Sequence, residues 1–70
     1  MERPILAKNI RALRREKDLT QKQLAEIMHK TPSCVAGWEQ GVSEPCVADI
    51  RFLCQFFNVS ADYLLGLTDC

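Results

Sequence analysis

The side chains best suited to chemistry lie between Leu19 and Glu39, in the stretch LTQKQLAEIMHKTPSCVAGWE. Gln21, Lys22 and Lys30 supply amide and ammonium donors, and Thr20, Thr31 and Ser33 supply hydroxyls, all near the starts of two helical patterns or in the turn between them. Donors of this kind hold phosphate oxygens and base edges rather than break bonds. The chain has one histidine, His29, no paired carboxylates suggesting a general acid and base, and no Gly-rich phosphate loop. Nothing here assembles a nucleophile with a base to activate it, so the chain reads as a binding protein and not an enzyme. Cys34, Cys46, Cys54 and Cys70 include no C-x-x-C pair, and His29 with Cys34 is too small a set for a metal. No metal and no cofactor is expected.

Holding those donors requires two helices at a fixed angle. Thr20 is an N-cap, and Gln23 at the third helical position completes a capping-box pattern, which predicts a helix over Gln21–Met28 with Leu24, Ala25, Ile27 and Met28 toward the core. Thr31 followed by Pro32 is the favoured cap and first residue of another helix, Pro32–Gln40, which Gly41 ends. About four polar or turn-forming residues join the two. That spacing is the one a helix-turn-helix needs to place one helix in a nucleic-acid groove and brace it with the other. Gly37, inside the second of these helices, costs roughly 1 kcal/mol relative to Ala, which asks what approaches it closely.

Three more helices complete an all-α chain without sustained apolar/polar alternation. The first spans Ile5–Lys17 after Pro4, burying Leu6, Ile10 and Leu13 and leaving Lys8, Arg11 and Arg15 largely off that stripe. Another spans Val47–Phe57 after Pro45, with Val47, Ile50, Leu53, Cys54 and Phe57 on one face and Asn58 at its end. The last spans Ala61–Leu65, capped by Ser60 and followed by Gly66. Seventy residues, 47% of them apolar, make one globular domain with its core over about residues 5–69, burying only about 60% of its unfolded surface. No apolar run reaches the roughly 20 residues of a membrane span, and the basic N-terminus lacks a signal peptide's apolar core, so a cytosolic location is expected.

Net charge is zero but unevenly spread. Residues 1–30 hold eight Lys or Arg against four acids, and residues 31–70 hold Arg51 alone against five, so one end at +4 can face phosphate while the other, at −4, faces away.

In order and spacing, Ile10-x-x-Leu13-Arg14, Leu19-Thr20-Gln21-x-x-Leu24-Ala25, Val35-x-x-Trp38-Glu39-x-Gly41, Pro45 and Asn58-Val59-Ser60-x-Asp62-Tyr63-Leu64-Leu65-Gly66 resemble the lambda-repressor-like, Cro/XRE-type helix-turn-helix domain. The resemblance covers about Ile5 to Asp69. It implies five helices, an operator bound by a dimer, a role in transcriptional regulation, and a buried ion pair between Arg14 and Glu39 that locks the reading helix to the first. It puts a phosphate contact at Gln21, and by residue type and position Thr20, Lys22, Lys30 and Thr31 are expected to contact the DNA as well. It puts base reading at Pro32, Ser33 and Gly37, with Gln40 near the DNA backbone.

The chain departs from that pattern in three places. No Arg, Asn or Gln stands at positions 32, 33, 36 or 37 to make a bidentate base contact. Glu44, in a loop where relatives often carry a cation, repels phosphate. His29 occupies a turn position where Gly is common, and tolerates a left-handed backbone less well. Weak to moderate, strongly salt-dependent binding with preference drawn from DNA shape is therefore expected.

Phe52 and Phe56 fall off the apolar stripe of their helix, with Tyr63 and Leu67 nearby in sequence. An exposed apolar patch often marks an interface, and since the resembling family pairs through its C-terminal helices, a homodimer contact is expected at Phe52, Phe56, Tyr63 and Leu67. The competing reading is that Phe56 and Tyr63 complete the core. A second function also fits: a protein-interaction module, such as an antitoxin or adaptor, on the same scaffold.

Overall fold

A computed structural model describes residues 5–67, so Pro4, Thr68, Asp69 and Cys70 lie outside the described residues. Five helices follow in order: α1 Ile5–Glu16, α2 Gln21–Ile27, α3 Pro32–Gln40, α4 Val47–Phe57 and α5 Ala61–Leu65. No strand occurs among the described residues.

All five helices stop the same way. Just past each end stands one residue in the left-handed conformation: Asp18 (φ 56°), His29 (58°), Gly41 (77°), Asn58 (56°) and Gly66 (76°). The N–H of the following residue then bonds back to a carbonyl five positions earlier, as in Leu19 to Arg14 (3.1 Å), Lys30 to Ala25 (2.8 Å) and Leu67 to Asp62 (2.8 Å). These closures satisfy carbonyls that would otherwise end in solvent. They also correct two predicted ends. Lys17 lies beyond α1, because Asp18 turns left-handed after it, and Met28 caps α2 instead of extending it.

The core joins Ile10 and Leu13 of α1, Leu24 and Ala25 of α2, Val35 and Trp38 of α3, Leu53 and Phe57 of α4, Leu64 of α5, and Met28. α3 packs on both α1 and α2, while α5 packs on α1 and α4. Asn9 of α1 donates from Nδ2 to the Tyr63 and Leu64 carbonyls (3.0 and 3.1 Å), tying α5 to α1 through its last turn.

Three burial expectations are corrected. Ile27 is 38% exposed because it lies about 100° around α2 from the face shared by Leu24, Ala25 and Met28. Val47 is 71% exposed because it opens α4, and side chains tilt toward a helix's N-terminus, here off its end into solvent. Leu6 is only half-buried, and Ala7 takes its place in the α1 stripe.

Candidate nucleic-acid interface

The α2–turn–α3 unit is built from two side-chain caps. Thr20 Oγ1 accepts from the Gln23 N–H (3.1 Å) while Gln23 Oε1 accepts from the Thr20 N–H (2.8 Å). Thr31 Oγ1 accepts from the Cys34 N–H (3.2 Å), with Pro32 at the first helical position. Between them Met28, His29 and Lys30 turn the chain. Val35 and Trp38 anchor α3 in the core, which leaves Pro32, Ser33 and Gln40 exposed and Ala36 half-exposed on its outer side.

α3 is fastened to α1 by charge. Arg14 donates from Nε to Glu39 Oε2 (2.6 Å), from one terminal nitrogen to Glu39 Oε1 (3.0 Å), and from the other to the Leu19 carbonyl (2.6 Å). The side chains of Arg14 and Glu39 are only 11% and 3% exposed. Hydrogen bonding to Glu39 raises the Arg14 pKa above its ordinary value, against the opposite pull of burial. Every buried side-chain polar atom among the described residues has a partner, so this charge pair is fully satisfied.

The other donors have mixed settings. Gln21 joins the ion pair by donating from Nε2 to Glu39 Oε1 (3.1 Å). Lys22 is exposed and forms no ion pair among the described residues. Lys30 is engaged, its Nζ standing 3.3 Å from Asp49 Oδ1 in the first turn of α4. The same carboxylate accepts from the Cys46 N–H and thiol, both at 3.3 Å. Gly37 does not open α3 to an outside backbone. A Cβ there would stand 2.7 Å from Ser43 Oγ, so what comes close is the protein's own loop, whose Val42 and Ser43 N–H groups donate to the Gly37 carbonyl (3.0 and 3.3 Å). Glu44 is exposed in that loop.

The aromatic patch also differs from expectation. Phe52 and Phe56 are half-buried and stacked at 5.7 Å, Phe56 meets Phe57 edge-on at 5.0 Å, and Lys17 Nζ covers Phe56 at 5.2 Å. Both pack against the core, and the Lys17 ammonium stands over the Phe56 face. Tyr63, Leu65 and Leu67 stay exposed.

Two further residues border the unit. Asp49 is one, as the partner of Lys30. Arg11 is the other: with Arg14, Gln21, Glu39 and Gln40 it lines a polar cleft of about 230 Å³ where α1, the start of α2 and the end of α3 meet. The only signal for Arg11 was its position off the apolar stripe of α1. Nothing in sequence connects Lys30 to Asp49.

Five short helices, with a short α2 leading through a tight turn into a braced and outward-facing α3, define a helix-turn-helix module. The chain belongs to the Cro/C1-type helix-turn-helix family, whose model, described as helix-turn-helix, matches residues 10–64. It is 38% identical over 60 residues to an uncharacterised HTH-type transcriptional regulator, YobD, of Bacillus subtilis (strain 168), covering 86% of this chain and 54% of that protein. It is 35% identical over 57 residues to the HTH-type transcriptional activator BcrR of Enterococcus faecalis, covering 81% and 28%. It is 36% identical over 62 residues to the antitoxin PezA of Streptococcus pneumoniae, covering 89% and 39%. The chain thus spans about half or less of the length of these relatives. No solved structure matches it significantly. No helix among the described residues is long and apolar enough to cross a membrane.

Proposed function

We propose that this chain is the DNA-binding module of a transcriptional regulator, reading a double-stranded operator with α3 as a homodimer in the cytosol or nucleoid. The carrying observation is that the outer side of α3 is held rigid by the Arg14–Glu39 pair beside the cation and caps of α2. In this reading Thr20, Gln21, Lys22, Lys30 and Thr31 meet phosphates, Pro32 and Ser33 meet bases, and Gln40 lies near the backbone. A Cβ at Gly37 would meet Ser43 Oγ, which supports a packing role for that position in place of base reading. In this reading the dimer contact is at Phe52, Phe56, Tyr63 and Leu67, of which Tyr63 and Leu67 are exposed, as is the neighbouring Leu65. Similarity to proteins named as transcriptional regulators supports the reading.

The experiment is a selection of random duplex DNA at about 50 mM salt, read by sequencing. An enriched short inverted repeat is the expected result. Retention without enrichment reduces the module to non-specific binding.

A protein-binding module is the second reading. Zero net charge, Glu44 in the loop and a base-reading surface with one hydroxyl, Ser33, and no Arg, Asn or Gln at positions 32, 33, 36 or 37 favour it, as does similarity to a protein named an antitoxin. No retention on DNA at low salt, with capture of a partner protein, is its expected result.

A further inference from the structure

The outward side of α3 is made mostly of carbon. Val35, Trp38 and Glu39 are buried, which turns the row Pro32, Ala36 and Gln40 away from the core, each residue four positions from the next. Pro32 and Gln40 are exposed and Ala36 is half-exposed, with exposed Ser33 beside the start of the row. The neighbouring groups are engaged elsewhere. Glu39 takes its bonds from Arg14 and Gln21, Gly37 is closed by Ser43, and Cys34 is half-buried against the core. A groove floor beneath α3 therefore meets the Pro32 ring, the Ala36 methyl and one hydroxyl, with the Gln40 amide at the far end.

Base edges in the major groove offer polar groups and one apolar group, the C5-methyl of thymine. Carbonyl, amino and ring-nitrogen atoms lose water against proline and alanine without gaining a partner, whereas a methyl leaves water at a gain. Burying one methyl is worth about fourfold in affinity. The spacing also fits. Four residues advance a helix by about 6 Å, and two base steps along one strand advance DNA by about 7 Å, so Pro32 and Ala36 match methyls on alternate bases when α3 lies along the groove.

We propose that α3 selects DNA by pyrimidine C5-methyl groups, with Ala36 and Pro32 as the methyl seats and Ser33 as a permissive hydrogen bond beside them. The inference rests on the DNA-binding reading and names the base feature that α3 selects, with Ala36 as a specificity-determining residue. Cytosine methylated at C5 carries the same group. α3 has no Asn, Gln, Glu or Arg at positions 32, 33, 36 or 37 to tell its amino group from the thymine carbonyl, so binding responds to cytosine methylation as well as to sequence.

Binding is measured at about 50 mM salt on an alternating A·T duplex made with thymine or with uracil, which lacks only the methyl, and on an alternating G·C duplex made with cytosine or 5-methylcytosine. These sequences place a pyrimidine at every second position of each strand. For wild type, thymine should bind about fifteen-fold tighter than uracil, the effect of two methyls, and 5-methylcytosine should exceed cytosine in the same direction. Ala36→Gly should cut the thymine-to-uracil ratio to about fourfold. Because the ratio is taken within one protein, any loss of folding cancels. Lys22→Ala should weaken both duplexes and leave the ratio unchanged. Equal, salt-dependent binding of the thymine and uracil duplexes overturns the proposal while leaving DNA binding intact, and a ratio untouched by Ala36→Gly overturns it as well. No binding to any of the four duplexes removes the DNA-binding reading and this inference with it.

Discussion

Arg14 and Glu39 stand 25 positions apart in sequence and meet through two hydrogen bonds, at 2.6 and 3.0 Å, between the end of α1 and the end of α3. Both are buried, so neither can return to water when its partner is removed. Arg14→Ala strands the Glu39 carboxylate and should cost about 3–5 kcal/mol. For a domain this small that lowers the melting temperature by more than about 10 °C. Arg14→Met combined with Glu39→Met removes both charges and should recover much of the loss. A shift of a degree or two in Arg14→Ala, by calorimetry, would remove the pair from the account of stability.

Lys30 is held 3.3 Å from Asp49, so a phosphate reaching it must displace a carboxylate. Lys22→Ala should lower the salt slope of duplex binding by about one, and Lys30→Ala by less. Asp49→Asn should free the lysine, strengthening binding a few-fold and steepening the slope. That gain should vanish in the Lys30→Ala background, and persistence there would place the effect of Asp49 elsewhere.

Gly66 and His29 share a left-handed backbone, and substitutions at the two should have opposite signs. Gly66→Ala meets the conformational penalty and also places a Cβ 2.5 Å from Ile5 Cγ2, so it should destabilise by about 2 kcal/mol or more. His29→Gly relieves the penalty at φ 58° and should raise stability by up to about 1 kcal/mol. Urea melts read both.

Burial pushes the Cys54 thiol up from its ordinary value, while Cys46 is exposed at the start of α4. Iodoacetamide at about pH 8 should modify Cys46 well before Cys54, as read by peptide mapping. A thiol whose folded pKa is raised stabilises the fold fully below its unfolded pKa. That contribution is lost as pH rises from the unfolded value through the folded one. Thermal melts should therefore decline on the alkaline side, and less in Cys54→Ala measured against its own neutral-pH value.

Local signals in the sequence determined the helices: Thr20, Thr31 and Ser60 as caps, Pro32 as an opener, Gly41, Asn58 and Gly66 as stops. Each acts on backbone groups within four or five residues, so its effect can be read without knowing the fold. The family pattern likewise carried the helix-turn-helix unit and the pairing of Arg14 with Glu39. What tertiary structure decided is how the remaining polar and aromatic groups spend their bonds. Lys30 meets Asp49, Gln21 turns to Glu39, Asn9 closes α5, Gly37 admits Ser43, and Phe52 and Phe56 fold onto the core. These partners lie on different elements, and a flexible side chain can reach any of several neighbours. Only the packing angles of the helices select among them, and no residue spacing encodes those angles.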